Sequence, residues 1–220
     1  MSLSKNTLKI YEFYNSKFLV FGGTVEDYLN NLQVSQGSYT VIKSALEYYH
    51  GKIDIKRKKV TSPPVIPVTV VSKSDIHQIL ISTHNKKHKL ILILSYMVGM
   101  RPYEIINIKC LHINNNTITI LKSKCHPEPR DITIDDYLKM EINEYINKDQ
   151  NYLFEVNGRR MSIRGIQHLI KQAGNRVNIA NLNARSLRHA YATHFLTGNI
   201  FHIKSQLGHH GLGATEIYID

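Results

Sequence analysis

The sequence predicts a mainly α-helical protein with one small antiparallel β-sheet, arranged as two domains. Three observations carry that prediction. Apolar residues recur at helical spacing over most of the chain. Two runs, 116–121 and 131–134, instead alternate β-branched residues in the manner of strands. A basic run, Lys56-Arg57-Lys58-Lys59, leads into Ser62-Pro63-Pro64-Val65-Ile66-Pro67, where prolines at this density resist both helix and central strand.

The proline-rich stretch sets the boundaries: a first domain at 1–58, a linker at 59–71 and a second domain at 72–220. In the first domain Leu8, Tyr11 and Phe13 open one helix. Val25, Tyr28, Leu29 and Leu32 mark a second, and Tyr39, Ile42, Leu46 and Tyr49 a third. Gly22-Gly23 and Gly37-Ser38 punctuate them. Beyond the linker, Ser74-Asp75 reads as the N-cap of a helix carrying Ile76, Ile79 and Leu80. The apolar stretch 90–98 is too short to span a bilayer and reads as a buried helix ending at Val98-Gly99. Pro102 suits the first position of the next helix, which carries Ile105 and Ile106. The two strands follow, joined by residues 122–130, and helical patterns return at 137–146, 162–172, 186–196 and 203–207.

Charge gives the first functional hint. Lys and Arg number 28 against 17 Asp and Glu, leaving +11. That surplus favours a polyanionic partner, of which nucleic acid is the commonest, although a membrane surface attracts the same charge. A hydrophobic fraction of 42% is ordinary for a soluble globular chain. The N-terminus lacks the build of a secretory signal, so a cytoplasmic, nucleoid-associated protein is expected. Cys110 and Cys125 are too few for a disulfide framework. Neither Cys110/His112 nor Cys125/His126 has the loop between ligands that zinc sites use, and His84/His88 lack the metalloprotease glutamate. No metal or cofactor is expected.

Five residues could do chemistry, and each alone has an ordinary reading. Arg101 lies at a helix junction, Lys124 between two strands, Arg188 in a helix and His209 just beyond a glycine helix stop; Tyr218 is one of 13 tyrosines. The set in order is less ordinary. Gly99-Met100-Arg101-Pro102-Tyr103-Glu104 comes first, followed by the hairpin lysine. Next is Leu187-Arg188-His189-Ala190-Tyr191-Ala192-Thr193-His194. Leu207-Gly208-His209 follows, and Tyr218 stands nine residues after His209. Together these resemble the signature of the tyrosine recombinase (phage integrase) family, over nearly the whole chain. The resemblance implies a helical core-binding domain followed by a catalytic domain, acting on double-stranded DNA.

It also implies roles. Guanidinium groups grip phosphate oxygens bidentately and stay charged at any working pH, so Arg101 and Arg188 would hold the scissile phosphate and stabilise its transition state. Tyr218 would attack it, leaving a 3′-phosphotyrosyl link; a phenol of pKa about 10 needs help to lose its proton. Lys124, or less favourably Lys122, would protonate the departing 5′-hydroxyl, and His209 would hydrogen-bond the phosphate. The covalent link conserves bond energy, so neither ATP nor metal is required. Lys52, Lys56, Arg57, Lys58, Lys59 and Lys122 would follow the DNA backbone, which supplies affinity and little sequence readout.

Two departures from the family pattern stand out. Arg185 occupies the place where the family commonly has histidine; arginine has no acceptor and cannot be a general base, so it is expected to bind phosphate and to lower the pKa of Tyr218. Only Ile219 and Asp220 follow Tyr218, which leads to the expectation of a monomer that assembles on DNA. An integrase of a bacterial or archaeal mobile element and a Xer-type resolvase fit equally. A DNA-binding relic without catalysis and a type IB topoisomerase-like activity are the alternatives.

Overall fold

A computed structural model describes residues 3–55, 71–121, 128–147, 150–195 and Leu207. The chain divides into two compact units, Met1–Pro67 and Val68–Asp220. Of the expected linker at 59–71, only Val71 falls among the described residues.

The first unit contains α1 (Lys5–Phe21), α2 (Val25–Asn30) and α3 (Gln36–His50). Each begins where a hydroxyl captures an otherwise orphaned main-chain N–H: Ser4 takes that of Thr7, Thr24 that of Asp27 and Ser35 that of Ser38. Gly22, at φ 71°, ends α1 in the left-handed conformation that glycine adopts without strain. Gly37-Ser38 does not separate helices as expected. Because Ser35 is the cap, the pair lies in the first turn of α3. Phe18, Leu29, Tyr39, Ile42, Leu46 and Ile53 form the core of this unit.

In the second unit α4 (Lys73–Ile81) is capped by Ser72 rather than by Ser74-Asp75. Asp75 returns a hydrogen bond to the Ser72 main-chain N–H at 2.9 Å, completing a reciprocal capping box. The next helix, α5 (Lys86–Met97), is buried at every position from Leu90 to Tyr96, as a helix through the centre of a core must be. His84 precedes its N-cap, Asn85, so His84 and His88 do not share a helix face. Then come α6 (Pro102–Ile106), a 3-10 turn at Cys110–His112, and a three-stranded antiparallel sheet. Its strands are β1 (Ile113–Asn114), β2 (Thr117–Ile120) and β3 (Arg130–Thr133). Ile118 pairs with Ile132 and Ile120 with Arg130. Strand β1 is too short to leave an alternating pattern, so the sequence shows two strands where this sheet has three.

The remaining elements are α7 (Asp136–Tyr145), a hairpin of β4 (Glu155–Val156) and β5 (Arg159–Arg160), α8 (Ile163–Arg176) and α9 (Ala184–His194). Asn157 and Gly158 turn the hairpin at φ 52° and 67°, the conformation for which Asn-Gly is the strongest short signal. On α8 the buried residues Ile166, Leu169, Ile170 and Ala173 follow helical spacing. Of the expected helix at 203–207, Leu207 alone is described; it is helical and fully buried. The class is the expected one, mainly α with small antiparallel sheets. No helix among the described residues is long and apolar enough to cross a membrane.

Candidate active site

Arg101 and Arg188 stand 87 residues apart in the numbering yet meet on one oxygen atom. Arg101 Nη1 donates to the Leu207 carbonyl at 3.1 Å, and Arg188 Nη2 donates to the same carbonyl at 2.7 Å. Two nitrogens bonded to one acceptor are at most about 6 Å apart. At that separation unit charges repel by about 3 kcal/mol at an effective dielectric of about 20. An anion set between them would reverse the sign of that term, which makes the pair a candidate anion site.

The chain arrives at this geometry by local rules. Gly99 turns out of α5 at φ 65°, and its carbonyl receives Arg188 Nη1 at 2.6 Å. A Cβ there would lie 2.6 Å from Leu207 Cδ2 and 2.7 Å from Tyr191 Cδ1, so no other residue fits. Pro102 then opens α6 with its fixed φ, placing Arg101 at the N-cap. On the other side Asn183 caps α9 by accepting the N–H groups of Arg185 and Ser186. The buried residues Leu187, Ala190, Tyr191 and Ala192 pack this helix inward and carry Arg188 with them, 9% exposed.

Glu104 holds Arg101 in place. Its Oε2 accepts the Arg101 main-chain N–H at 2.8 Å and its Oε1 accepts Arg101 Nη1 at 3.2 Å. Oε1 also accepts Arg130 Nη2 at 2.9 Å, across from β3. Burial alone would push this carboxyl up. The Arg130 charge, the Arg101 N–H, the Arg130 hydrogen bond and the Arg101 charge outweigh it and hold Glu104 below the usual carboxylate range. A depressed pKa fixes the sign of the linkage: the stability that Glu104 contributes is complete above the ordinary value of about 4.3 and is lost as pH falls through the lowered folded value. Melting curves between neutral and strongly acid pH should therefore show Glu104→Gln less stable by about 1.5–3 kcal/mol at neutrality. The deficit should shrink toward acid; a constant difference would refute the assignment.

Arg185 is exposed at the start of α9, three residues before Arg188. It lines a groove of about 550 Å³ with Pro102, Gln167, Lys171 and Asn183, so the groove carries two cations, Arg185 and Lys171. His189, next to Arg188, has its pKa lowered by burial and then by the Arg185 charge. Lys52 is exposed beyond the end of α3, in the first unit. Lys56, Arg57, Lys58, Lys59, Lys122, Lys124, His209 and Tyr218 lie outside the described residues. Glu104, bonded to Arg101, and Arg130, bonded to Glu104, were not among the residues singled out from the sequence. For Glu104 there was a signal, the three-residue spacing of a capping pair after Arg101; for Arg130 there was none among 28 basic residues.

Residues 69–220 match the model of the Phage integrase family. Over 238 aligned residues the chain is 30% identical to the tyrosine recombinase XerA of Pyrococcus horikoshii, covering 98% of this chain and 83% of that protein. It is 29% identical over 152 residues to the tyrosine recombinase XerD of Staphylococcus haemolyticus, covering 63% and 52%. The crystal structure of XerA recombinase superposes with a TM-score of 0.62 at 23% identity, covering 98% of this chain and 88% of that one. The XerH recombinase bound to palindromic difH substrate in a post-cleavage complex superposes at 0.70 and 18% identity, covering 97% and 75%. These two structural likenesses show the fold.

Proposed function

The chain belongs to the phage integrase family, whose members cut and rejoin DNA strands, and from that premise we propose that it is a site-specific recombinase working through a 3′-phosphotyrosyl link to Tyr218. The observation that carries this reading is the convergence of Arg101 and Arg188 on one oxygen position. A scissile phosphodiester repels an incoming oxyanion, and two fixed guanidinium groups cancel that repulsion and stabilise the charge that grows in the transition state.

In this reading Tyr218 gives up its proton to solvent, the phenolate oxygen attacks phosphorus in line, and the bond to the 5′-oxygen breaks. Lys124 supplies the proton that the leaving oxygen takes, and His209 donates to a non-bridging oxygen. The 5′-hydroxyl of a second strand then displaces Tyr218 by the reverse path, so no external energy source enters. Arg185 and Lys171, along the groove, bind flanking backbone phosphates. Arg185 cannot accept the tyrosine proton, and its positive charge instead favours the phenolate. Lys52, the basic run 56–59 and Lys122 add backbone contacts, which make binding steeply salt-dependent.

The test uses duplexes that the protein itself selects from a random pool by repeated rounds of binding. A nick introduced along such a duplex traps the cleaved state. After denaturation a protein–DNA species should remain, and proteolysis should map the attached nucleotide to the peptide that contains Tyr218. Tight, sequence-selective binding with no such species, or attachment elsewhere, sinks the proposal and leaves a DNA-binding protein without the chemistry.

A further inference from the structure

Arg130 is an unusual residue to find at the first position of a sheet strand. Its side chain is 14% exposed, and it lies opposite Ile120 in the register. One nitrogen, Nη2, reaches Glu104 Oε1 at 2.9 Å. Its Nε and Nη1 are buried with no hydrogen-bond partner among the described residues. A buried cation with most of its donors unused is costly as architecture alone. What it does for Glu104 is the better account of its presence.

Glu104 carries one negative charge and is 3% exposed at its side chain. Two guanidinium groups share its Oε1, Arg130 at 2.9 Å and Arg101 at 3.2 Å. Had Arg101 the carboxylate to itself, the two would form a neutral pair, and the pull of Arg101 on a phosphate would be largely quenched. With Arg130 closer to the same oxygen, the triad Arg130–Glu104–Arg101 keeps a net charge of one positive unit. Its outward end is the Arg101 nitrogen that also meets the Leu207 carbonyl beside Arg188. The carboxylate thus fixes the position of Arg101 without cancelling its charge.

We infer that Arg130 is a positioning residue for strand cleavage: by taking up the charge of Glu104, it leaves Arg101 both anchored and electropositive toward the scissile phosphate. The inference rests on the proposed recombinase reading. Arg130 itself need not touch DNA.

The test compares adduct formation on two nicked duplexes, one with an ordinary phosphodiester at the mapped cleavage position and one with a methylphosphonate, which has no anionic oxygen there. Arg130→Gln removes the charge. It should slow the phosphodiester about tenfold to a hundredfold, part of what loss of a transition-state donor costs. On the neutral methylphosphonate the loss should be within about threefold, because no anion remains for Arg101 to attract. Arg130→Lys keeps the charge beside Glu104 and should preserve the wild-type ratio of the two rates. Equal slowing of both substrates by Arg130→Gln overturns the inference and marks Arg130 as a packing residue. Should Arg130→Gln fail to melt cooperatively, Arg130→Lys carries the test, and a collapsed ratio there overturns it as well. If the wild-type protein forms no adduct on either duplex, the recombinase reading itself fails and the inference falls with it; an adduct on the phosphodiester separates the two failures.

Discussion

Arg188→Ala is expected to lower the single-turnover rate of adduct formation by about 10³-fold, the upper end of what loss of one preorganised transition-state donor costs. The guanidinium is buried between two main-chain carbonyls, at 2.6 Å from Gly99 and 2.7 Å from Leu207. Those contacts fix the plane of the group, and a fixed plane is what lets guanidinium meet two oxygens of one phosphate. Arg188→Lys should remain about a hundredfold slow even though its charge is retained, because an ammonium cannot span both carbonyls and still present a fork. In the alanine variant the Gly99 carbonyl loses its bond from Arg188 while the Leu207 carbonyl keeps the one from Arg101, and an acceptor left unpaired costs about 1–3 kcal/mol. Stability should therefore fall alongside activity, and melting curves would show whether enough folded protein remains for the rate to be read. A lysine variant that cleaves within about threefold of wild type would refute the forked geometry.

Gly99→Ala should be strongly damaging. The backbone at φ 65° costs a side-chain-bearing residue about 1–2 kcal/mol. The new Cβ would also sit 2.6 Å from Leu207 Cδ2 and 2.7 Å from Tyr191 Cδ1, and overpacking of this kind adds about 1–3 kcal/mol. Together these are a large share of the stability of about 5–15 kcal/mol that a domain possesses. Relief comes by moving Leu207, and moving Leu207 withdraws the carbonyl that both arginines share. Thermal melting should fall by several degrees, and the protein that remains folded should form adduct at least about tenfold more slowly. A variant with wild-type melting and wild-type rate would show that the close approach at Gly99 is not what shapes the site.

Much of this was legible in the chain, for physical reasons that differ by element. The buried helix α5 announces itself because a helix enclosed on all sides must be apolar on all sides. Pro102 marks the start of α6 because its missing N–H is of no use elsewhere in a helix. Strand β1 was not legible, since two residues cannot display a period of two. The start of α4 was misplaced by two residues because Ser72 and Ser74 are chemically equivalent as caps; only the return bond from Asp75 separates them. Arg101 and Arg188 were singled out by the motifs around them. That they meet on the Leu207 carbonyl was not legible, because a main-chain oxygen has no letter in the sequence. Arg130 was illegible for a related reason: its part is set by the register of β3 against β2, which pairs it with Ile120 and turns it toward Glu104.

The shared carbonyl has a consequence for how the protein is made. The bond from Arg101 to Leu207 closes over a separation of 106 residues, and that from Arg188 to Gly99 over 89. Contacts so distant form late, after the local helices and hairpins have appeared. A chain emerging from the ribosome carries Arg101 long before Leu207 has been synthesised, and until then the two guanidinium groups have no common atom to hold them. The two guanidinium groups are thus brought onto one atom only after the segment that contains Leu207 has been made.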